Sequence, residues 1–342
     1  MIFSILKFTA EKALGTTVLH CVIGIPIHFS ELQRRAYLDA AAIAGLRPLR
    51  FMHETTATAF GIYKPGLPDD EPFNVVFVDI GHASMEVSVA AFKKGQLKIL
   101  GHAFDRSLGG RDFDGVLFRH FAEKFKQEYN INVSANIRAS RRLRSSSLVE
   151  SGLPLEKIGA VEVVGPGSRI PAILRILASV FRKEPSRTLN ASECIARGCA
   201  LQCAMMTPPF KVRHFEVQDS FSFSIGLSWK GVPASKQVEA RNIVFGSGSS
   251  LPRAKVLTFQ RSGTLLINAF YADGSNLPPG APLKIGTYQI GPLKTNKLEN
   301  ANLQLKIRLD IHRTLSIEPA SMTEEELEAS ASKTIDSPEG LI

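Results

Sequence analysis

The sequence predicts two architectures in series: an α/β unit first and an all-β sandwich second. Three observations carry this. Up to Met206, strand-like runs alternate with helical runs that carry their own start and stop signals. Beyond it the texture changes. Phe221, Phe223, Ile225, Leu227 and Trp229 alternate with Ser222, Ser224, Gly226 and Ser228. Finally, 342 residues are enough for two domains.

The first half reads as follows. Ile2, Leu6 and Ala13 fall on one face of an opening helix, which Lys7 and Glu11 interrupt too early for a signal peptide. Val18 to Pro26 reads as a buried strand. Ser30 and Gln33 form a capping box, in which each side chain satisfies the other residue's backbone N–H. The helix that follows should stop at Gly45, since glycine enters the left-handed conformation without strain. A short strand, "LRFMH", leads into a helix at "ETTATAF". Asn74 to Ala103 reads as a three-strand meander, with Lys94-Gly95 as its second turn. In its middle strand Met85, Val87 and Val89 alternate with Glu86, Ser88 and Ala90, which predicts one buried face.

Gly109-Gly110 opens a helix on which Phe113, Leu117, Phe121 and Phe125 repeat every four residues. The helical run "NIRASRRLR" then gives way at Ser145 to Ser147 without a stop signal. That junction is either a loop or a place where residues are absent relative to related chains. Ala160 to Val164 reads as a strand. "GPGSRIP" reads as a helix-start turn with Ser168 as N-cap, and Asn190 to Glu193 as a second capping box before "CIARGCALQCAMM".

"TPPFKVRHFE" reads as an extended linker. In the second half, Ser262-Gly263 should join "AKVLTFQR" and "TLLINAFYA" as a hairpin. Leu303 to Ile311 alternates as another strand. From Thr323 the chain is acidic and rich in small residues, a disordered tail by composition. The boundaries are therefore 1–206, linker 207–213, sandwich 214–320 and tail 321–342. Residues 213–320, with complete alternating faces, read as the more autonomous part.

Composition narrows the function classes. Hydrophobic content of 44% with 21% charged residues is that of a soluble globular chain, with no apolar run of membrane-spanning length. The net charge of +9 permits acidic partners without naming one. Arg138, Arg141, Arg142 and Arg144 cluster either as a solvated helix face or as a phosphate-backbone contact. No aromatic residues interleave them, so nucleic-acid binding is not expected. Cys199 and Cys203 sit i, i+4 but lack two further ligands at metal spacing, so the four cysteines read as buried small residues in a reducing compartment.

The most informative stretch is "VFVDIGHASMEV", Val76 to Val87. A strand, an Asp-x-Gly turn and a second strand can cradle phosphates. His82 and Ala83 nonetheless stand where such a turn usually wants glycine. An ordinary hairpin has the same local pattern. "GPGSRIP" is not a Walker A loop, because no Gly-Lys-Ser/Thr follows.

The order of several motifs separates these readings. "CVIGIPIHFSELQRRAYLDAAAIAGLRPLRFMHETTATAF", "VFVDIGHAS", "LGGRDFD", "VEVVGPGSRIP" and "NASECIARGCALQ" follow one another as in the 70-kDa heat-shock chaperone family. "FVDIGHAS", "AFKKGQLKILGHA" and "FKVRHFE" resemble its large, 110-kDa-type branch, which includes nucleotide-exchange partners. The resemblance implies an actin-like ATPase domain, incomplete here, followed by a peptide-binding β-sandwich. It implies ATP or ADP with magnesium as cofactor. By position, Asp79 would hold a magnesium-bound water, and Glu54 would lie near the metal and attacking water. Gly81, His82, Ala83 and Ser84 would form a phosphate loop, with Gly109 and Gly110 beside the nucleotide. Gly165, Pro166, Gly167, Ser168 and Arg169 would form the adenosine loop, with the Arg packing on the base.

Four departures qualify that site. The family's first phosphate hairpin and its lysine have no counterpart here. Neither does the adenosine-clasping helix after "RRLR", with Ser145 to Ser147 as the junction left behind. His82, Ala83 and Pro166 replace small flexible residues, and the helical lid is missing. The expectation is a chaperone or co-chaperone that binds unfolded or extended polypeptide, with a nucleotide site weakened or lost. A 70-kDa heat-shock chaperone is the implied partner, with no membrane association and a cytoplasmic or nuclear location. The alternatives are a working ATP-driven chaperone ATPase and a truncated gene product without function.

Overall fold

A computed structural model describes residues 1–61, 71–115, 152–207, 210, 215–230, 239–260, 264–291 and 302–321. The chain divides into two compact units. One comprises Met1–Phe29 with Leu38–Ser220, and the other Ser30–Tyr37 with the chain from Phe221 onward. The Arg cluster, the Ser145–Ser147 junction, Leu117, Phe121, Phe125, Ser262-Gly263, most of the linker and the tail lie outside the described residues.

The first unit opens with α1 (Ile2–Leu14), β1 (His20–Ile25), α2 (Glu31–Ile43), β2 (Arg47–His53) and α3 (Glu54–Phe60). The N-terminal turns of α2 group with the second unit. α1 forms as its pattern predicts, but no residue of it is buried, and Ile2 and Leu6 stay exposed. β1 and β2 pair in parallel. α2 stops at Gly45, which adopts φ +70°.

The meander follows as β3 (Phe73–Ile80), β4 (Met85–Lys93) and β5 (Gln96–Asp105), antiparallel throughout, with a register shift between Val89 and Ala90 in the β4–β5 pair. Gly95 makes the second turn with φ +73°. β6 (Ile158–Val164) adds parallel to β3, and β7 (Glu216–Phe221) parallel to β5. This unit's sheet therefore runs β7-β5-β4-β3-β6. β7 comes after the expected linker yet lies in this sheet, so the described boundary falls at Ser220–Phe221.

Helices cover both faces of the sheet. α3 and α5 (Cys194–Met206) meet one face, where Phe77, Ala90 and Phe92 pack with Ala57, Phe60 and Cys199. α4 (Pro171–Phe181) meets the other, where Val78, Val87 and Val89 pack with Leu177 and Phe181. This corrects the reading of β4 as a strand with one buried face. Glu86, Ser88 and Ala90 are as buried as the residues between them, because a central strand in a doubly covered sheet has no solvent side. α3 and α5 approach closely because Gly198 lies against the Ala57 carbonyl, where a Cβ would clash.

Two helix-start expectations change. Ser168 does not cap α4. Its hydroxyl donates to the Gly165 carbonyl at 2.7 Å, closing a 3₁₀ turn over Pro166–Arg169, and Ile170 takes the N-cap position. At α5 only half of a capping box forms. Asn190 Oδ1 accepts the Ser192 and Glu193 N–H groups, while the Glu193 carboxylate turns to Arg197 instead. At α2 the box is complete: Gln33 Oε1 accepts the Ser30 N–H at 2.8 Å, and Ser30 Oγ the Gln33 N–H at 3.4 Å. Cys194 and Cys199 are buried and Cys21 and Cys203 half-buried; burial pushes the Cys199 thiol up to about 12.

The second unit contains β8 (Ile225–Lys230), β9 (Glu239–Phe245), β10 (Ser249–Leu251), β11 (Arg253–Gln260), β12 (Leu265–Tyr271), β13 (Lys284–Ile290), β14 (Asn302–Leu309) and β15 (Leu315–Ser321). Two antiparallel sheets run β13-β12-β8-β9 and β11-β14-β15. Leu227, Leu265 and Ile267 from the first share one core with Phe259, Leu305 and Ile307 from the second. β11 and β12 were expected to form a hairpin with each other. They belong instead to different sheets, β11 pairing with β14 and β12 with β8 and β13, so the chain crosses between sheets there. Ile311 leaves the alternation and is exposed beyond the end of β14. The start of α2 completes this unit: the buried Glu31 carboxylate accepts the Leu315 N–H at 3.0 Å, and Arg35 bonds the Leu315 carbonyl. No helix among the described residues is long and apolar enough to cross a membrane.

Candidate functional site

The site forms where β3 ends, because three turns converge there. Asp79 is the penultimate residue of β3. It stands opposite Glu86 on β4 and opposite Val164 at the end of β6. The chain leaves β6 through Gly165, whose φ is +78° and where a Cβ would lie 2.5 Å from Asp79 Oδ1 and from the Ile80 carbonyl oxygen. Only glycine meets both demands. Gly167 is likewise pressed against the Ile80 side chain.

The turn after β3 is closed by a hydrogen bond from the Gly81 N–H to the Ser84 carbonyl at 3.0 Å. The Gly109-Gly110 turn grips it from outside. Gly110 N–H donates to the Gly81 carbonyl and Arg111 N–H to the His82 carbonyl, both at 2.9 Å. A Cβ on Gly109 would sit 2.5 Å from the His82 carbonyl oxygen. Asp112 Oδ2 accepts the Gly109 N–H at 2.8 Å. The glycines therefore serve turn-to-turn packing, and the Gly81, Gly109 and Gly110 N–H groups are engaged within the protein. His82 and Ala83 stand exposed at the tip, with Ser84 half-buried behind them.

Glu54, the first residue of α3, faces the same region. Burial raises its pKa well above the usual carboxylate range, and the charges of Glu86 and Asp79 raise it further. Asp79 is pushed up to about 6 by burial. Glu86, fully buried, is raised by burial and then by Asp79. Three acids thus share a low-dielectric region, in which Asp79 makes the ionisation of Glu54 and Glu86 harder and Glu86 that of Glu54.

Glu86 is the residue the sequence reading missed. It was placed on the polar side of an alternating strand, and only the second helical layer makes that side interior. Its Oε1 accepts the Ile27 N–H at 3.1 Å and contacts His28 Nδ1 at 3.2 Å. Burial and the nearby Arg106 charge lower the His28 pKa to about 4, so at neutral pH this contact is a hydrogen bond rather than an ion pair. Among the described residues, Glu86 Oε2 is buried without a hydrogen-bond partner.

Arg169 ends the 3₁₀ turn and is exposed. It lines an open cleft of about 610 Å³ with Ser168, Arg187, Thr188 and Ala191. The cleft wall is fixed by Glu162 on β6, whose Oε1 accepts the Ser186 and Thr188 hydroxyls at 2.6 and 2.8 Å. The predicted residues thus fall into two groups. Asp79, Glu54, Gly81–Ser84, Gly109, Gly110 and Gly165 surround the end of β3, and Arg169 stands at the cleft mouth.

Arrangements of this kind suit a metal held through water. No three carboxylate, imidazole or thiolate groups among the described residues converge as a direct metal cage. Magnesium retains several waters and takes only one or two carboxylates, so a buried, partnerless Glu86 oxygen beside Asp79 fits an outer-shell role.

The family model for Hsp70 protein matches residues 1–147 and 145–341. The chain belongs to the Hsp70 family. The two Hsp70 matches meet at Ser145–Ser147, the junction where the sequence lacks a helix stop. Among Hsp70 relatives, the chain is 49% identical over 386 residues to heat shock 70 kDa protein 14 of Arabidopsis thaliana, covering 95% of this chain and 46% of the relative. It is 36% identical to human heat shock 70 kDa protein 4, covering 95% and 45%. It is 38% identical to the 97 kDa heat shock protein of Strongylocentrotus purpuratus, covering 95% and 42%. The chain spans under half the length of these relatives. Relatives of the large, 110-kDa-type branch are among those matched, and the Hsp70 family is one that binds ATP or ADP with magnesium.

Proposed function

We propose that this chain is a chaperone or co-chaperone of the nucleotide-exchange type. It holds extended apolar polypeptide on its second unit, a β-sandwich in this reading. Its first unit is an actin-like domain that binds magnesium-nucleotide weakly and turns it over negligibly. The observation that carries the weak site is the commitment of glycine N–H groups: those of Gly81, Gly109 and Gly110 bond within the protein. A phosphate would compete with those bonds, and losing one preorganised donor from such a site costs roughly 3–4 kcal/mol of transition-state stabilisation. His82 and Ala83 at the tip add side chains where a phosphate loop gains from glycine. The meeting of the two family matches at residues 145–147 supports loss of the segment that would clasp adenosine. Arg169 would then stack on the base alone, and Asp79 and Glu54 would face the metal. The partner in this reading is a 70-kDa heat-shock chaperone, in the cytoplasm or nucleus.

Titration calorimetry with magnesium-ATP tests the site, with Asp79→Ala as control. The expected result is binding weaker than micromolar. Micromolar affinity that disappears in Asp79→Ala would overturn the weak-site reading and favour an ATP-driven chaperone, which Asp79, Glu54 and Glu86 would then serve. Fluorescence anisotropy with an apolar heptapeptide tests the second unit. Weak, fast-exchanging binding is expected, and none at high micromolar protein would remove the polypeptide-binding reading.

A further inference from the structure

α1 is attached through polar bonds on one side and presents an apolar side outward. Phe3, Lys7, Ala10 and Glu11 form its half-buried side. Lys7 Nζ donates to the Gly45 carbonyl at 3.0 Å, and Glu11 Oε1 accepts the Val18 N–H at 3.0 Å. Ile2, Ile5, Leu6, Thr9 and Ala13 fall on the opposite side at helical spacing, with Phe8 on its flank, and all are exposed. Ile2 is 72% exposed, Ile5 56%, Leu6 58% and Phe8 67%. These four side chains leave on the order of 500 Å² of apolar surface bare, the larger part of the roughly 800 Å² that each partner buries in a standard interface. Among the described residues nothing buries that face. A helix as short as α1 is marginal in water unless its apolar face is packed.

We propose that this face is the interface between two copies of the chain, with α1 paired antiparallel to α1 of the second copy about a two-fold axis. The charge pattern selects a like face. Lys12 is the only charged side chain on or beside the outward side, because Lys7 and Glu11 are turned inward. An acidic protein, a nucleic acid or an anionic lipid surface would find a single cation there. An extended polypeptide needs a groove or an open strand edge, which a convex helix does not offer. A second copy of the same uncharged face needs neither, and two-fold pairing brings identical patches together. The antiparallel sense follows from Lys12, which lies near one end of α1. It places the two Lys12 ammonium groups at opposite ends of the pair and opposes the helix dipoles. The proposal is independent of the nucleotide and polypeptide readings.

The test is sedimentation velocity on the full chain from about 1 to about 100 μM, with circular dichroism to verify that each variant folds. Wild type should pass from monomer to dimer across that range without larger species. Leu6→Glu puts a carboxylate from each copy into the pairing and should weaken dimerisation at least about tenfold. Ile5→Lys should do the same with two ammonium groups. Mixing the two variants should restore a dimer, because each carboxylate then meets an ammonium. Val256→Glu, at a comparably exposed apolar position in the second unit (54%), should dimerise like wild type. A monomer at every concentration overturns the proposal. So does a dimer that Leu6→Glu leaves intact, or association that Val256→Glu suppresses equally. A monomeric wild type whose melting temperature falls in Leu6→Glu would assign the face to another segment of the same chain. One that binds phosphatidylserine vesicles through Leu6 would assign it to a lipid surface. Either result sets the second copy aside.

Discussion

β4 and β14 look alike in sequence and differ in structure. Each alternates apolar and polar residues across its length. In β14 the alternation describes the outcome: Leu303, Leu305, Ile307 and Leu309 are buried, and Gln304, Lys306 and Arg308 are exposed. In β4 both sets are buried. The difference comes from layering. β14 belongs to a sheet with one face on the shared core, while β4 is central in a sheet that α3 and α5 cover on one side and α4 on the other. Period two therefore reports the strand, not the number of faces that are dry. It also explains where function resides. Polar residues forced inside, such as Glu86, must find partners or perform chemistry, whereas Lys306 simply meets solvent.

The comparison predicts its largest effect in the second unit. Ile307→Ala removes a fully buried side chain between two sheets and should cost about 2–5 kcal/mol, through lost transfer energy and the residual cavity. Lys306→Ala, one residue away on the solvent face, should stay within about 0.5 kcal/mol. Denaturant unfolding of both variants checks this. Similar costs at 306 and 307 would mean that β14, like β4, is covered on both faces.

An intermediate effect separates the two strands by pH. Glu86 is raised from 4.5 to about 8 and Asp79 from 3.8 to about 6. A raised folded-state pKa means that the folded protein holds protons the unfolded chain has released. The stabilising contribution is complete below the ordinary carboxylate values and is lost as pH rises through the folded ones. In metal-free buffer the chain should therefore lose stability from about pH 4, where the unfolded carboxylates release their protons, up to about pH 8, because folded Asp79, Glu54 and Glu86 still hold theirs. Glu86→Gln should flatten that slope, because a neutral amide does not titrate. A slope unchanged in Glu86→Gln would show that Glu86 is already ionised and compensated throughout the range.

Much of the fold was legible in residue pattern, and the exceptions share a cause. The meander, the stop at Gly45 and the strand before Gly165 are local, fixed by turn residues and short-range periodicity. The misread features depend on partners distant in sequence. Ser262-Gly263 suggested a hairpin, but β11 and β12 join different sheets because their apolar faces are needed on opposite sides of one core. Residues 213–320 looked self-sufficient, yet Leu315 N–H and the Tyr271 hydroxyl are bonded to Glu31, far upstream. At the site, Asp79 and the glycines followed from motif order. Glu86 did not, since its place beside Asp79 in the interior depends on helices covering both faces of β4.

The smallest effect concerns two helix starts with the same sequence signature. Ser30–Gln33 and Asn190–Glu193 both read as capping boxes, but only the first is reciprocal. Gln33→Ala removes the acceptor of the Ser30 N–H, a part-buried group that then lacks its partner, and should cost on the order of 1 kcal/mol. Glu193→Ala removes only an exposed i, i+4 pair with Arg197, and should cost a few tenths of a kcal/mol, about 0.3–0.5 at most, falling further in high salt. Asn190→Ala supplies the internal control, because Asn190 Oδ1 accepts the Ser192 and Glu193 N–H groups in place of the missing reciprocal bond. Its cost should resemble that of Gln33→Ala and be independent of salt. If Glu193→Ala instead matches Gln33→Ala and ignores salt, the Glu193 carboxylate reaches back to the Asn190 N–H in solution, and the two helix starts are equivalent after all.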